Sequence, residues 1–171
     1  LPNRKIMKAL FITLEELKRK SIFDGNLDPD KMIQFVEVAQ DTNIQMQLGT
    51  KLYEKIQADI IADTLTGNYL SLVNEYIKPM LIWYSQVAFI PFAAYQIANG
   101  GIFKHNSENA TSVEPDEINM LVNKAKDTAE FYTERFIQYM SFNSDLFPEF
   151  TQNQDEGIYP HRDINYTGWV L

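Results

Sequence analysis

The chain has 171 residues, near the usual size of one domain, and its 45% hydrophobic and 22% charged residues are ordinary for a soluble globular protein. Its formal net charge of −8 disfavours a free-standing DNA-binding domain, because affinity for DNA comes largely from basic residues that neutralise phosphates. The absence of cysteine excludes disulfides, thiolate metal sites and cysteine nucleophiles. The first apolar group, at residues 9–12, is too short for a signal peptide, so none is expected.

The chain is expected to begin with an arm and a short capped helix. Residues 1–12 carry three basic residues and end in an apolar group, which is typical of an arm. Thr13 and Glu16 have the spacing of a capping box, in which the hydroxyl accepts from the N3 amide and the glutamate reaches back to the cap. This box predicts a helix to about residue 20.

Two longer helices are predicted to follow. Asp28 is expected to cap the first, with Pro29 at the first helical position, where the missing N–H costs no hydrogen bond. Gly49 is expected to end that helix with a positive φ. Thr50 is then expected to cap the next helix, which should end at Gly67.

A short helix over residues 68–77 and a long one over residues 79–98 are predicted next, with the break at Pro79. The long segment is free of charged residues and close to the ~20 residues that a membrane span requires. Polar residues interrupt it, and it lacks the basic flanks that would orient a span. We therefore predict a central helix that is packed by others on all sides, with a kink at Pro91.

The segment after the central helix is predicted to be a long loop or a hairpin. Asn99, Gly100 and Gly101 are expected to end the helix, and residues 100–113 are polar with some β-branched residues. An excursion of this length exceeds what helix packing needs, and such loops are often functional. The longest helix should begin at Glu114-Pro115 and run to about residue 142.

The last segment, residues 151–171, shows neither a helical period nor a clean alternation. It nevertheless contains aromatic and branched aliphatic residues, which disordered tails usually lack. We expect an extended strap that docks on this domain or on another chain, and the proline and glycine breaks favour another chain. The fold prediction is thus an all-α helical bundle at residues 13–150, with an excursion at about 100–113 and arms at residues 1–12 and 151–171.

The sequence offers no constellation with catalytic or metal-binding spacing. His105 and His161 both fall in predicted loops and belong to no zinc-binding pattern. No nucleophile elbow and no phosphate-binding loop are present. Asp28 and Asp30 lack the glycine and the terminal glutamate of a calcium loop, and helix capping explains them better. We therefore expect no catalytic residue, no cofactor and no metal ion.

Three segments together carry a resemblance to a known family. They are AQDTNIQMQLGTKLYEKI at residues 39–56, GGIFKHNSENATSV at 100–113 and YTERFIQYMSFNSDLFPEF at 132–150. In their order and sequence they resemble the head–tail connector (adaptor) proteins of tailed bacteriophages, in particular those of phages of Bacteroidales, including crAss-like phages. The resemblance covers most of the chain from about residue 9, and LPNRKI at residues 1–6 falls outside it.

The resemblance implies a structural, non-enzymatic subunit of the virion, located at the capsid–tail junction and made in the cytoplasm of the bacterial host. Such proteins form a ring, commonly of twelve copies, that docks on the portal protein, extends the DNA channel and presents a surface to further neck or tail proteins. An acidic chain suits a lumen through which DNA passes without tight binding. We expect no membrane partner.

The expected interface residues are the apolar side chains of the two arms and the excursion. They are Leu10, Phe11, Ile102, Phe103, Ile158, Tyr159, Ile164, Tyr166, Trp169, Val170 and Leu171. Tryptophan and tyrosine are the residues that most often anchor interfaces, and a head-to-tail ring needs a donor patch and a different acceptor patch on every chain.

Two other interpretations stay open at this point. One is a different neck or tail-completion protein of similar helical build. The other is a helical enzyme or small-ligand-binding protein with a pocket beside Trp83, Tyr84 and Tyr95. Core filling explains those aromatic residues more simply.

Overall fold

A computed structural model describes most of the chain, with the backbone alone given for Pro29 and for the two short strands. The described residues are 8–23, 29–93, 95–98, 101–104, 114–152 and 157–160. They form an all-α fold, as predicted, to which one small β-hairpin is added.

The described α-helices are α1 (Leu14–Lys20), α2 (Pro29–Ala39), α3 (Gln45–Leu48), α4 (Thr50–Ile61), α5 (Gly67–Leu72), α6 (Lys78–Ala93), α7 (Pro115–Asn143) and α8 (Pro148–Thr151). A π-helical turn at Gln40–Ile44 joins α2 to α3, and a second at Val73–Ile77 joins α5 to α6. A 3₁₀ turn at Ser144–Leu146 follows α7. Strands β1 (Tyr95–Ala98) and β2 (Gly101–Lys104) pair antiparallel, with Ala98 opposite Gly101.

Several predicted helix ends are confirmed by their hydrogen bonds. The Glu16 amide donates to Thr13 Oγ1 at 3.2 Å, the Thr13 amide donates to Glu16 Oε2 at 3.5 Å, and α1 ends at Lys20. Glu114 caps α7 in a capping box of its own. Gly49 has the predicted positive φ, at 74°.

The prediction that Thr50 caps α4 is wrong by one residue. Gly49 is the cap, and Thr50 is already the first residue of the helix. The Thr50 hydroxyl accepts instead from the amide of Ile158, a residue 108 positions away along the chain. The Thr50 hydroxyl oxygen, which the sequence pattern assigned to a helix cap, therefore bonds to a residue that is distant along the chain.

The predicted helix break at Pro79 is also wrong. The chain stays helical from α5 through the second π-turn into α6, and the Lys78 amide donates to the carbonyl of Val73, five residues back. A π-turn widens the helix by one residue directly before the proline, where the missing N–H and the ring would disturb a regular α-helical turn.

The hairpin lies earlier in the chain than predicted. Helix α6 ends at Ala93, so residues 95–98 form β1 rather than the end of the central helix. Pro91 lies in the last turn of α6, two residues before the end of the helix. Asn-Gly between two apolar runs is a strong hairpin pattern, and Asn99-Gly100 is the pair that connects β1 to β2. Residues 105–113 of the predicted excursion lie outside the described residues.

Helix α6 is the centre of the bundle, as predicted. It packs extensively against both α7 and α2, whereas α2 and α7 have little contact with each other. Its buried residues point in all directions around the helix axis; they are Met80, Leu81, Ile82, Ser85, Gln86 and Ile90. The buried polar groups of Ser85 and Gln86 bond to the carbonyls of Leu81 and Ile82 within the same helix. Helix α6 therefore separates α2 on one side from α7 on another.

Candidate interaction surfaces

Residues 8–12 belong to the fold and not to an arm. Gln40, in the first π-turn, clamps this segment: the Phe11 amide donates to Gln40 Oε1 at 2.8 Å, and Gln40 Nε2 donates to the Ala9 carbonyl at 2.8 Å. Phe11 is 2% exposed, and its ring lies 5.1 Å from that of Tyr53. The predicted interface role of Phe11 is therefore wrong, because the ring fills the core. Leu10 is half-buried at the core edge.

Tyr53 completes the clamp. Its hydroxyl donates to Asp41 Oδ1 at 2.9 Å and accepts from Gln40 Nε2 at 3.1 Å. Burial, together with the neighbouring carboxylate of Asp41, raises the pKa of Tyr53 well above its ordinary value. The phenol thus stays protonated, as the hydrogen bond to Asp41 requires.

A small cleft lies between residues 10–13 and the second π-turn. Its volume is about 160 Å³, and its apolar lining includes Leu10, Ile60 and Val73. An ion pair borders it: Lys78 Nζ donates to both carboxylate oxygens of Glu16 at 2.9 Å. Partial burial of Glu16 raises its pKa, but the hydrogen bonds and the charge of Lys78, together with the Thr13 amide and the charge of Lys20, outweigh it and lower the pKa of Glu16. The sequence pattern did not reveal this pair, because its members are 62 residues apart.

The described part of the C-terminal segment docks on its own chain. The Thr50 amide donates to the Ile158 carbonyl at 2.9 Å, and the Ile158 amide donates to Thr50 Oγ1 at 2.8 Å. Two glycines with positive φ permit this approach, since a Cβ at Gly49 would lie 2.7 Å from Pro160 Cδ and one at Gly157 would lie 2.6 Å from Thr50 Oγ1.

Residues 157–160 therefore pack on their own chain, and the contact of the tail with another chain stays a prediction. Ile158 is held at the start of α4, while the side chain of Tyr159 is 51% exposed. The side chains of Ile102 and Phe103 in β2 lie outside the described residues. So do the remaining predicted interface residues, namely Ile164, Tyr166, Trp169, Val170 and Leu171.

Helix α7 has two apolar faces. Its inner face is buried against the bundle, and it consists of Ala125, Ala129, Thr133, Phe136 and Met140. On the opposite side, Met120, Phe131 and Phe142 are 64%, 60% and 88% exposed. We call these three residues the outer stripe. They are spaced eleven residues apart, which is close to three helical turns, so they form a line about 33 Å long.

Charged residues border the outer stripe on both sides and differ in sign near Phe131, while Glu117 lies on the same side as Lys124 and Arg135, roughly 40° from Phe131. At about 100° per residue, Lys124 and Arg135 lie roughly 20° and 40° from Phe131 in one direction, and we call them the basic flank. Asp127 and Glu134 lie roughly 40° and 60° from Phe131 in the other direction, and we call them the acidic flank. All four side chains are exposed.

The sequence analysis predicted α7 as the longest helix but did not recognise the outer stripe. The buried face dominates the three- and four-residue period that predicted the helix. The eleven-residue spacing of Met120, Phe131 and Phe142 was the pattern from which the stripe could have been found.

The described residues contain no group of three histidine, cysteine or acidic side chains that could hold a metal ion. Both histidines, at positions 105 and 161, lie outside this part of the chain.

The open alternative of a ligand pocket beside Trp83 and Tyr84 depends on where these side chains lie. The Tyr84 hydroxyl lies 3.1 Å from Thr133 Oγ1, so that this contact joins α6 to α7 within the bundle. Among the helices described, none is long and apolar enough to cross a membrane.

These features define an all-α domain with both described chain ends packed on its own bundle and a large apolar line left on its longest helix. The chain belongs to a family of unknown function, DUF6712, whose model matches residues 44–158. The matched region includes α4, α6 and α7 and ends at Ile158, within the docked C-terminal segment. No curated protein and no solved structure shows significant similarity to the chain.

Proposed function

We propose that the protein is a structural subunit of a bacteriophage neck, a head–tail connector that forms a ring on the portal protein. In this role it extends the DNA channel and presents a docking surface to further neck or tail proteins of the virion. The proposal takes its class from the resemblance of residues 39–56, 100–113 and 132–150 to connector proteins. It implies no enzymatic activity and no cofactor.

The observation that carries the proposal is the outer stripe of α7. Scattered single apolar residues are normal on a protein surface, whereas contiguous exposed apolar surface marks sites of protein–protein interaction, and we propose that the outer stripe belongs to such a surface. Three such side chains, each at least 60% exposed, lie on one line of the longest helix. A surface of this kind is what a subunit of an assembly needs.

The layering of the bundle also supports a ring. A head-to-tail ring requires two different patches on each subunit, one that donates and one that accepts. Helix α6 lies between α2 and α7, so the outer sides of α2 and α7 are separate and chemically different surfaces. The outer side of α2 is mostly polar, with Val38 as its exposed large apolar residue.

The net charge suits the channel function. With a formal charge of −8, the subunit offers DNA little attraction, and a duplex can pass through an acidic lumen without being held. The copy number of twelve comes from the resemblance alone.

The test is the native mass of the purified chain, by light scattering after gel filtration, with negative-stain images of any large species. The wild type should form rings, alone or when mixed with the portal protein of its phage. Phe131→Asp should abolish assembly and leave the helical circular-dichroism spectrum unchanged. Ile61→Asp is the matched control, because Ile61 is 48% exposed but lies at the end of α4. A chain that remains monomeric both alone and with the portal protein would overturn the proposal.

A further inference from the structure

We propose that the end of α7 in one copy of the chain inserts Phe142 into the cleft between residues 10–13 and the second π-turn of the next copy. Phe142 is 88% exposed, and Leu146, four residues further along the chain, is 42% exposed. We call these two residues the knob. This inference rests on the proposed ring and adds to it the two different patches that join one subunit to the next.

The cleft suits a single aromatic ring in both size and chemistry. Its volume is about 160 Å³, and its apolar lining includes Leu10, Ile60, Leu65, Leu70 and Val73. A cavity of about 150 Å³ with aliphatic and aromatic walls is large enough to bind benzene. The cleft therefore has room for the Phe142 ring, and filling it removes apolar surface of both copies from water.

The knob and the cleft lie at the same level of the bundle. The chain segments that carry them run antiparallel, as shown by the contacts of Tyr76 with Tyr139 and of Tyr84 with Thr133. Phe142 lies three residues after Tyr139 in α7. Val73, which lines the cleft, lies three residues before Tyr76. Both are therefore displaced by nearly one turn in the same direction along the bundle.

The knob and the cleft also lie on different sides of the bundle. In the second π-turn, Tyr76 faces α7, whereas Asn74 lines the cleft. Residues two positions apart on a helix point in nearly opposite directions. Glu75 lies on the α7 side, because burial, Tyr76 and then Glu75 raise the pKa of Tyr139. Different patches at one level are what a head-to-tail ring needs to close without the rise that produces a filament.

The cleft has an edge with net positive charge. Glu16 lies between two cations there, because Lys78 donates two hydrogen bonds to it and Lys20 is close enough to favour its ionised form. Arg19 and Glu15, on the exposed side of α1, neutralise each other in a pair at 2.6 Å. This edge of the cleft therefore favours an acidic partner.

The knob has an acidic side. The residues between Arg135 and Asp145 carry no charge, so exposed Asp145 is the charged residue nearest to Phe142 along the chain. Arg135 and Glu134 lie about 10–12 Å further back along α7 and have opposite charges. Glu149 accepts a hydrogen bond from a tyrosine hydroxyl of α5 at 2.6 Å.

These charges determine which way the knob enters the cleft. With Asp145 of one copy towards Lys20 and Lys78 of the next, opposite charges meet. In the reverse orientation Asp145 approaches Asp63, which is exposed two residues before Leu65 of the cleft lining. Electrostatic complementarity between partners therefore selects the first orientation.

The absence of cysteine in the wild type makes this contact measurable by cross-linking. Three single-cysteine variants of the full chain are prepared, all at exposed positions: Ser141→Cys beside the knob, Asn74→Cys at the cleft and Gln34→Cys on α2. One version of each carries a tag that changes its size. The variants are mixed in pairs, alone or with the portal protein, and treated with a short bismaleimide, and mixed dimers are resolved on a denaturing gel. The pair of positions 141 and 34 is the matched control, because it tests α2 as the acceptor.

The knob-in-cleft contact predicts mixed dimers of position 141 with 74, several-fold more abundant than those of 141 with 34 or of equal positions. Stronger products between equal positions would show a contact of like surfaces and overturn the inference. Stronger products of 141 with 34 would place the acceptor on α2 and also overturn it. Rings without an enhanced product of 141 with 74 overturn it too, while leaving the proposed ring function standing. A chain that never assembles, alone or with the portal protein, is the separate result that ends the proposed function and this inference with it.

Discussion

Helices α6 and α7 are both rich in apolar residues, but they use them differently. Most apolar residues of α6 are buried or half-buried within its own chain, and Met80 and Leu81 are fully buried, whereas Phe92 in its last turn is 57% exposed. Helix α7 covers its inner face in the same way, yet Phe142 on its outer side is 88% exposed. Folding therefore explains most of the hydrophobicity of α6, whereas for the outer stripe we propose a partner outside the monomer.

The largest effect should come from truncating a side chain of α6. Leu81→Ala removes a fully buried side chain and leaves a cavity, so the free energy of unfolding should fall by about 2–5 kcal/mol. Urea denaturation followed by circular dichroism measures it. Leu121→Ala on α7 is the matched control, because the same change at a residue that is 49% exposed should cost less than about 1 kcal/mol. Equal losses for the two variants would contradict the distinction between the helices.

The ion pair at the start of α6 should likewise contribute more to stability than the exposed ion pair of α7. Lys78, at the start of α6, donates two hydrogen bonds to Glu16, and its side chain is 15% exposed. Lys78→Met leaves that partly buried carboxylate without its cation and should cost about 1–2 kcal/mol. Lys126→Met on α7 breaks a pair at 3.7 Å whose members are more than half exposed, and it should cost less than about 0.5 kcal/mol. Urea denaturation of both variants measures the two losses of unfolding free energy, and the loss for Lys78→Met should be the larger.

The pair at the start of α6 should also be sensitive to acid. Because the folded-state pKa of Glu16 lies below its ordinary value of 4.5, its contribution to stability is present above pH 4.5 and is lost as the pH falls through the folded-state pKa. The difference in unfolding free energy between wild type and Lys78→Met should therefore be largest near neutral pH and shrink below about pH 4.5. A difference that is independent of pH down to pH 3 would contradict the role of Glu16.

The sequence predicted what is local and missed what is tertiary. The capping box at Thr13, the positive φ of Gly49 and the buried character of α6 all follow from residues that are neighbours along the chain. The pairing of Lys78 with Glu16 and the docking of Ile158 on Thr50 join residues 62 and 108 positions apart, which no local period reports.

Two local misreadings have a different cause. Residues 95–98 are apolar enough for either a helix end or a short strand, and for short apolar runs the hydrophobic period does not separate the two. The Asn99-Gly100 pair that follows them in the sequence favours a hairpin. At Pro79 the expected break assumed regular α-helical spacing, which the π-turn replaces. For the interface, the sequence pointed to the chain ends, whereas the structure packs residues 8–12 and 157–160 on their own bundle.

The smallest effect on folding, and the sharpest test of the contrast, is expected at the end of the outer stripe. Phe142→Ser should change the free energy of unfolding by no more than about 0.5 kcal/mol, because the ring makes little contact that folding creates. Phe136→Ser, on the buried inner face of the same helix, should cost several times as much. If Phe142→Ser instead costs more than about 1 kcal/mol in a monomeric preparation, the outer stripe is covered by the chain itself and α7 is a buried helix like α6. If Phe142→Ser leaves folding intact but lowers the native mass, the stripe stabilises the assembly and not the monomer. In that case α7 differs from α6, whose buried apolar residues stabilise the monomer.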